Sequence, residues 1–350
     1  MPACPPLPAE DLDHILAHTR ELWAELRGQS VFITGGTGFF GMWLLESFAR
    51  ANDTLALGAR VVVLTRDPAA FARKGPHLAA RPDVEFLRGD VRDFAFPPGR
   101  FACVIHAATE ASAKLNDEAP AEMLDVIVAG TRRVLAFAAQ AGTRKLLLTS
   151  SGAVYGPQPT AMTHLPEDYA GAPDPLLPAS AYGIGKRVAE HLCAVHARQH
   201  GYEVKVARCF AFVGPHLPLD GHFAIGNFIR DALRGGPIRV GGDGTPYRSY
   251  LYASDLAVWL WTILFRGAAS RAYNVGSADA GSIAALAAAV AAAAGGNPEV
   301  RIARAPVAGQ PPARYVPDVR RARDELNLSP RVPLSAALGR TLAWSRLAAA

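Results

Sequence analysis

The 350-residue chain is short of cysteine, of lysine and of charge in general, and each shortage excludes a class of protein. Its four cysteines lie far apart and form no Cys-x-x-Cys pair, which argues against a disulfide framework or a zinc site. Only five lysines are present and no run of five basic residues occurs, so nucleic acid is not an expected partner. The longest apolar run, residues 283–294, has 12 residues, fewer than the ~20 that a membrane span needs.

Apolar residues, by contrast, make up 50% of the chain. This fraction excludes a globally disordered protein, and the length allows two domains or one large one. The net charge of +5 comes from scattered arginines, which fits a mild preference for small anionic ligands. The first residues lack the basic segment and apolar core of a signal peptide, so we expect a cytoplasmic protein.

Residues 1–28 predict an N-terminal extension with one amphipathic helix. Apolar residues recur three and four positions apart between Asp11 and Arg27, and the helix is predicted to end at Gly28. We expect this helix to pack against its own domain, and docking to a partner is the alternative.

Beyond residue 28, short runs rich in β-branched residues alternate with helical stretches. The predicted strands are residues 31–34, 61–65, 84–87, 103–106, 145–150 and 204–209, and the predicted helices are 41–51, 119–141, 181–200 and 282–294. This alternation is typical of an α/β fold with a doubly wound parallel sheet, covered by helices on both faces. We assign residues 29–214 and 246–275 to the sheet domain, and residues 215–245 and 276–350 to a smaller C-terminal substrate-binding lobe.

A glycine-rich turn, TGGTGFFG, joins the first predicted strand to the first predicted helix. Gly35 permits the tight turn, Gly38 lets a pyrophosphate approach the backbone, and Gly41 allows close helix–strand packing. The helix N-terminus that follows offers N–H groups to the diphosphate. The sheet domain is therefore predicted to be a dinucleotide-binding domain of the Rossmann type. Its predicted cofactor-binding residues at this turn also include Thr37, Phe39 and Phe40.

The second predicted strand ends in Thr65 and Arg66, where NAD-binding proteins usually carry an acidic residue. A guanidinium can pair with the 2′-phosphate of NADP, whereas a carboxylate would repel it. Arg66 therefore favours NADP, and NAD held through Thr65 is the alternative. After the third strand, Asp90 is a candidate partner for the adenine amino group, with Val91 beside it in the cofactor site.

Tyr182 and Lys186 lie four residues apart on one face of a predicted helix. A phenol titrates near ~10, too high for a base at neutral pH, and a neighbouring ammonium lowers that value. The preceding strand brings Thr149 and Ser151 to the C-terminal edge of the sheet, where ligands bind in such folds. We therefore predict Ser151, Tyr182 and Lys186 as the catalytic set, with Thr149, Tyr182 and Lys186 also facing the cofactor.

Together these motifs resemble those of the extended short-chain dehydrogenases/reductases, in the NAD-dependent epimerase/dehydratase group that acts on nucleotide sugars. The matching segments, which include TGGTGFFG, GDVRD, VIHAAT, LLLTSSGAVYG, YGIGK and GGDGTPYRSYLYASDLA, span residues 31–276 in the expected order. The segment 182–208 is especially similar to UDP-glucuronate decarboxylases.

The resemblance implies site residues that spacing alone does not identify. Ala107, Ala108 and Thr109 would border the cofactor, while Asn227 and Arg248 would hold the diphosphate of a nucleotide sugar. The alternatives are that Asn227 only caps a helix and that Arg248 is an ordinary surface residue. Relatives dimerise through the helices that correspond to residues 119–141 and 181–200, so the resemblance also implies a homodimer.

Two positions depart from the family pattern. Relatives that eliminate water or carbon dioxide carry an acid directly after the catalytic hydroxyl residue, where this chain has Gly152. Because a general acid or base contributes ~10²–10⁴-fold, its loss argues against elimination unless Glu110, Glu167 or Asp168 substitutes from a loop. Ala211 stands where relatives often have a substrate-contacting asparagine.

These residues favour a redox-neutral nucleotide-sugar 4-epimerase, in which Tyr182 removes the C4-hydroxyl proton. The first alternative is an NADPH-dependent 4-keto-sugar reductase, followed by a 4,6-dehydratase or decarboxylase, and last by a non-catalytic NAD(P)-binding protein.

His106 is expected to be structural. The loop 157–177, which contains His164, is either a lid or a passive surface loop.

Overall fold

A computed structural model of the protein describes residues 4–108, 113–221 and 223–349. Its strands are β1 (Ser30–Thr34), β2 (Arg60–Thr65), β3 (Val84–Arg88), β4 (Cys103–His106), β5 (Lys145–Ser151), β6 (Glu203–Cys209), β7 (Phe212–Val213), β8 (Ile238–Val240), β9 (Tyr247–Ser249), β10 (Leu251–Tyr252), β11 (Arg271–Val275), β12 (Ala280–Ser282), β13 (Val300–Ile302) and β14 (Arg314–Tyr315). Its α-helices are α1 (Ala9–Thr19), α2 (Phe39–Leu55), α3 (Pro68–Lys74), α4 (Pro76–Ala79), α5 (Ala113–Glu118), α6 (Pro120–Gln140), α7 (Ala181–His200), α8 (Ala224–Leu233), α9 (Ala253–Arg266), α10 (Ile283–Ala293), α11 (Arg320–Leu326) and α12 (Leu334–Ala349). Short 3₁₀ helices cover Arg20–Leu26, Gly152–Tyr155 and Pro178–Ser180.

The central sheet is parallel throughout. Within the described ranges its seven strands follow the order β11-β6-β5-β4-β1-β2-β3. The direction of winding reverses between β1 and β4, and ligands of such sheets bind in the crevice at that reversal. The predicted α/β doubly wound fold is therefore confirmed, and its ligand crevice lies outside the carboxyl ends of β1 and β4.

Both faces of the sheet are buried, as near-continuous apolar strands require. Alternate residues of each strand enter different apolar clusters, because successive side chains point to opposite faces. One cluster joins the sheet to α1, α2 and α9, and its strand residues include Ile33, Val63, Ile105 and Leu147. The other lies against α6 and α7, and its strand residues include Phe32, Val62, Val104 and Leu146.

The N-terminal segment packs on its own domain, through α1 against α2 and α9. The prediction of one continuous helix to Arg27 is wrong beyond Thr19, where the backbone tightens into the 3₁₀ helix. The Thr19 hydroxyl donates to the Ile15 carbonyl oxygen at 2.6 Å and accepts from Trp23 Nε1 at 2.9 Å. Leu22 and Trp23 are buried in the tightened turn, so the apolar spacing of three and four is kept without α-helical geometry.

The chain after β6 builds smaller sheets beside the central one. Among the described residues, β7 pairs with β10, β8 pairs with β13, and β9 lies between β12 and β14. The domain boundaries assigned from the sequence remain a prediction. In the described part of the chain, no helix is both long and apolar enough to span a bilayer.

Candidate active site

The glycine-rich turn after β1 adopts a conformation that its glycines alone make accessible. Gly35 has φ +73°, and a Cβ there would lie 2.4 Å from the carbonyl oxygen of Ala107 at the end of β4. A Cβ at Gly41 would lie 2.2 Å from the carbonyl carbon of Gly36, so the first turn of α2 packs on the turn itself. Gly38 is the N-cap of α2 and is exposed.

The residues of this turn fit the diphosphate of a dinucleotide. Gly38, the N-cap of α2, has no side chain that could cap the helix, so the backbone N–H groups of the first turn are what this end of α2 offers to an anion. Phe39 and Phe40 begin α2, two residues earlier than predicted, and the Phe40 ring packs edge-on against Phe212 at 5.1 Å between centroids. The Thr37 carbonyl oxygen accepts from Lys74 Nζ at 3.0 Å, which ties the turn to α3.

The ends of β2 and β3 place Thr65, Arg66 and Asp90 close together. Thr65 is buried and Arg66 is exposed. The Asp90 carboxylate accepts from the Arg92 backbone N–H at 2.9 Å and from Arg92 Nε at 2.8 Å. The Arg92 guanidinium, aided by Arg66, holds the pKa of Asp90 below its usual value. A carboxylate therefore stands near the arginine that was predicted to select a 2′-phosphate.

Of the remaining predicted cofactor residues, Ala107, Ala108 and Val91 lie in the described part of the chain. Ala107 and Ala108 follow β4, and the Ala108 N–H donates to the Thr34 hydroxyl at 3.1 Å. Val91 is buried, and a Cβ at Gly130 of α6 would lie 2.8 Å from its Cγ1, so its side chain packs on α6. Thr109 lies outside the described residues.

The predicted catalytic residues meet where β5 ends and α7 begins. Ser151 is the last residue of β5, and its hydroxyl lowers the pKa of the phenol of Tyr182, which lies in the first turn of α7. Lys186 Nζ donates to the Thr149 carbonyl oxygen at 2.8 Å and lies 5.9 Å from the Tyr182 ring centroid. Asn116 of α5 accepts from the Tyr182 backbone N–H at 3.0 Å, which fixes the start of α7.

Burial dominates the protonation of this group. Desolvation raises the pKa of Tyr182 to about 12, although its hydrogen bond to Ser151 acts in the opposite direction. Desolvation also lowers the pKa of Lys186 to about 8. In the protein without its cofactor the pKa of Tyr182 is therefore raised, and the expectation of a lowered pKa is wrong there, because desolvation of the phenol is the largest effect.

Sequence reasoning missed Tyr315, which lies beside Ser151. Burial raises the pKa of the Tyr315 phenol, and Ser151 acts in the opposite direction. A Cβ at Gly152 would lie 2.6 Å from that hydroxyl oxygen and 2.8 Å from the Phe210 ring. The space that a side chain at residue 152 would need is thus occupied by Tyr315 and Phe210. The one signal in the sequence was Gly152, at a position where the family resemblance implies an acid.

Of the three substitute acids considered from the sequence, the structure describes Glu167 and Asp168, and neither shows a contact with Ser151. Glu167 is buried, which raises its pKa, and its Oε1 accepts from the Asn274 backbone N–H at 2.8 Å. Its Oε2 lies 3.8 Å from Arg321 Nε. Asp168 lines a separate cavity of about 440 Å³ that none of the catalytic residues lines. Glu110 lies outside the described residues.

The two residues expected at the substrate diphosphate lie on α8 and β9. Asn227 is inside α8, so it does not cap a helix, and it accepts from Arg230 at 3.0 Å. It lines a cavity of about 290 Å³ together with Asp243 and Pro246. Arg248 lies on β9, two residues after Pro246 in the sequence. Its Cζ lies 5.8 Å from the Tyr315 ring centroid.

The two histidines considered as bases have structural partners. His106 is buried, with Nδ1 2.8 Å from the Thr34 hydroxyl and Nε2 3.2 Å from the Thr131 hydroxyl. Burial lowers the pKa of His106 to about 3, so it is neutral at physiological pH. His164 Nε2 lies 3.0 Å from the Ala278 carbonyl oxygen, which attaches the loop 157–177 to the loop after β11.

Comparison with known proteins agrees with this geometry. The model of the NAD dependent epimerase/dehydratase family matches residues 31–276. The chain is 31% identical to UDP-glucuronic acid decarboxylase 1 of Xenopus tropicalis over 318 residues, which are 90% of this chain and 72% of the relative.

Solved structures share the fold. The UDP-glucose 4-epimerase of Thermus thermophilus, in complex with NAD, has a TM-score of 0.73 and 28% identity, over 91% of this chain and 99% of that chain. The UDP-glucose 4-epimerase of Thermotoga maritima, with UDP-glucose, has a TM-score of 0.76 over 92% of this chain and 100% of that chain. Its 22% identity supports the fold alone.

Proposed function

The chain belongs to the NAD dependent epimerase/dehydratase family, and is therefore an NAD(P)-dependent enzyme of nucleotide-sugar modification; we propose that its reaction is a redox-neutral 4-epimerisation. The observation that carries this proposal is the surroundings of Ser151. Ser151, Tyr182 and Lys186 are grouped as a 4-keto mechanism requires, and no carboxylate follows Ser151.

In the proposed mechanism, Tyr182 takes the proton of the sugar C4 hydroxyl and later returns it. Ser151 holds the same hydroxyl against Tyr182. When bound, the dinucleotide supplies the acceptor and donor of a hydride. Because burial raises the pKa of Tyr182, its deprotonation needs a nearby positive charge, and Lys186 on the same helix face provides one.

Elimination reactions fit the site less well, although the decarboxylases are similar in sequence. Loss of carbon dioxide or water from the sugar requires a general acid or base near C5 and C6. In this chain Gly152 supplies none, and Tyr315 and Phe210 fill the space that an acid at residue 152 would need. This filled space supports a reaction that stays at C4.

The second candidate is an NADPH-dependent 4-keto-sugar reductase. The exposed Arg66 at the end of β2 supports it, because a guanidinium pairs with the 2′-phosphate of NADP. Asp90 opposes it, since its carboxylate lies near the same site.

We further propose that the substrate nucleotide lies against α8 and β9. Asn227 lines the 290 Å³ cavity there, and Arg248 supplies a guanidinium for the diphosphate.

The proposed homodimer uses α6 and α7, and light scattering of the purified protein tests it. The four cysteines are all free, which supports a reducing, cytoplasmic compartment.

Two measurements on freshly purified protein test the reaction. The first denatures the protein and identifies any released dinucleotide by mass spectrometry. The second incubates the protein with UDP-hexoses and UDP-glucuronate, without added cofactor, and follows the anomeric protons by NMR. The 4-epimerase predicts retained dinucleotide and interconversion of C4 epimers, which Tyr182→Phe abolishes. An empty protein that consumes added NADPH with a 4-keto sugar supports the reductase, and release of carbon dioxide refutes both.

A further inference from the structure

Lys74 contacts the dinucleotide-binding turn from a neighbouring helix. It is the last residue of α3, and its Nζ donates to the Thr37 carbonyl oxygen at 3.0 Å. Thr37 directly precedes Gly38, the N-cap of α2, so this hydrogen bond holds the turn at the point where α2 begins. In the described ranges no backbone N–H donates to the Thr37 carbonyl oxygen, so its hydrogen bond comes from Lys74.

The position of this ammonium is unfavourable for α2 unless an anion is bound nearby. A positive charge beside the N-terminus of a helix opposes the helix dipole. Burial also lowers the pKa of the Lys74 ammonium, and no carboxylate of the described chain pairs with it. An anion at the turn would offset both effects, because it would interact with the cation and with the helix N-terminus together. The diphosphate of a dinucleotide is such an anion.

The N-terminal segment between Cys4 and Leu7 holds Lys74 from the other side. The Cys4 N–H donates to the Lys74 carbonyl oxygen at 2.8 Å, which fixes the end of α3. The Leu7 N–H donates to Glu46 Oε2 of α2 at 2.8 Å, and the Leu7 side chain is buried in the core. The segment therefore connects α3 to α2, and it lies outside residues 31–276, which the family model matches.

We propose that Lys74 is a positioning residue of the dinucleotide site, which holds the turn through the Thr37 carbonyl oxygen and is itself held by the Cys4 N–H. A turn binds a diphosphate through several backbone N–H groups, which must all point at one ligand. Without Lys74, the turn keeps its internal hydrogen bond, from the Gly38 N–H to the Gly35 carbonyl oxygen at 3.1 Å, but loses its link to α3. Its N–H groups should then fit the diphosphate less well.

The test is the affinity of the full-length protein for NADH and for NADPH. Charcoal treatment first removes resident dinucleotide, and binding is followed by the fluorescence of the reduced nicotinamide. Lys74→Met keeps an unbranched apolar stem and removes the ammonium. It should raise the Kd of both dinucleotides about 5- to 20-fold. The two losses should be similar, because both dinucleotides carry the diphosphate.

Arg73→Met is the matched control. Arg73 is the preceding residue of α3 and is exposed, so its replacement removes the same charge from the same helix end. Arg73→Met should leave both Kd values nearly unchanged. Lys74→Arg supplies a cationic donor again and should recover most of the affinity that Lys74→Met loses.

Melting of the empty proteins separates positioning from stability. Lys74→Met should melt within about 2 °C of the wild type, because the lost hydrogen bond is offset by removal of a cation from the N-terminus of α2. The proposal is overturned if Lys74→Met raises Kd no more than Arg73→Met does, whatever its melting temperature. A loss confined to NADPH also overturns it, since that result means a direct ion pair with the 2′-phosphate.

Two variants at residue 4 test the link to the N-terminal segment. Cys4→Ala keeps the backbone N–H, whereas Cys4→Pro removes it. Cys4→Pro should raise both Kd values about 2- to 5-fold, and Cys4→Ala should not. Added to Lys74→Met, Cys4→Pro should have little further effect, because the contact through which it acts is already lost. Equal effects of the two Cys4 variants would refute the link. These readouts need no turnover, so failure of the epimerase assay alone refutes only the proposed reaction.

Discussion

Gly35→Ala tests the closest backbone approach in the dinucleotide-binding turn. Gly35 has φ +73°, and an alanine in this region costs about 1–2 kcal/mol. Its Cβ would also lie 2.4 Å from the Ala107 carbonyl oxygen, and relief of such overpacking costs about 1–3 kcal/mol. The free energy of unfolding should therefore fall by about 2–5 kcal/mol.

The expected shift in melting temperature follows from the size of the chain. An unfolding entropy of about 2.1 cal/mol/K per residue gives about 1.4 °C per kcal/mol for 350 residues. Gly35→Ala should then melt about 3–7 °C below the wild type. Gly38→Ala is the control, because its φ is −84° and the nearest atom to its Cβ is 3.4 Å away. It should melt no more than about 1 °C lower.

Scanning fluorimetry with and without NAD(P), together with urea unfolding followed by circular dichroism, measures both variants. Both should bind the dinucleotide more weakly, because Gly35→Ala pushes the turn away from β4 and Gly38→Ala adds a methyl group where we expect the diphosphate to approach the backbone. If Gly35→Ala melts with the wild type and binds NAD(P) normally, the close approach of the turn to β4 is refuted.

Two further results are expected. Arg66→Ala should weaken NADP binding about 10- to 100-fold and leave NAD binding nearly unchanged, since only NADP carries the 2′-phosphate; equal losses in calorimetry for both dinucleotides would contradict this role. His106 has a pKa of about 3 in the folded protein and about 6.5 when unfolded, so the unfolded state binds the extra proton and stability falls as pH falls between these values. Urea unfolding at pH 7 and 4.5 should show the wild type losing about 2–3 kcal/mol more than His106→Asn; parallel losses would mean that His106 is not buried as a neutral ring.

The central sheet and most of the site could be predicted because the signals are local. A parallel strand buried on both faces is visible as an apolar run, and the glycines of the turn mark where the backbone must bend. Tyr182, Lys186 and Ser151 follow from the end of β5 and the start of α7, which are consecutive predicted elements of the chain.

What could not be predicted depends on distant parts of the chain. Tyr315 lies on a two-residue strand with no periodicity of its own, and its position comes from pairing with β9. The change at Thr19 was missed because apolar spacing of three and four fits both α and 3₁₀ geometry. The pKa of Tyr182 was misjudged because a sequence reveals neighbouring charges along a helix but not the loss of solvent around them.

The first and last helices of the described chain are bonded to each other. Asp11 of α1 is fully buried and accepts from both Tyr252 and Arg340 at 2.6 Å, while the Pro6 carbonyl oxygen accepts from Trp344 Nε1 at 3.1 Å. During synthesis, residues 6–11 leave the ribosome more than 300 residues before these partners of α12 do. The buried carboxylate of Asp11 must therefore stay hydrated until α12 emerges, so α1 is made before the other described helices and is still among the last to reach its final packing.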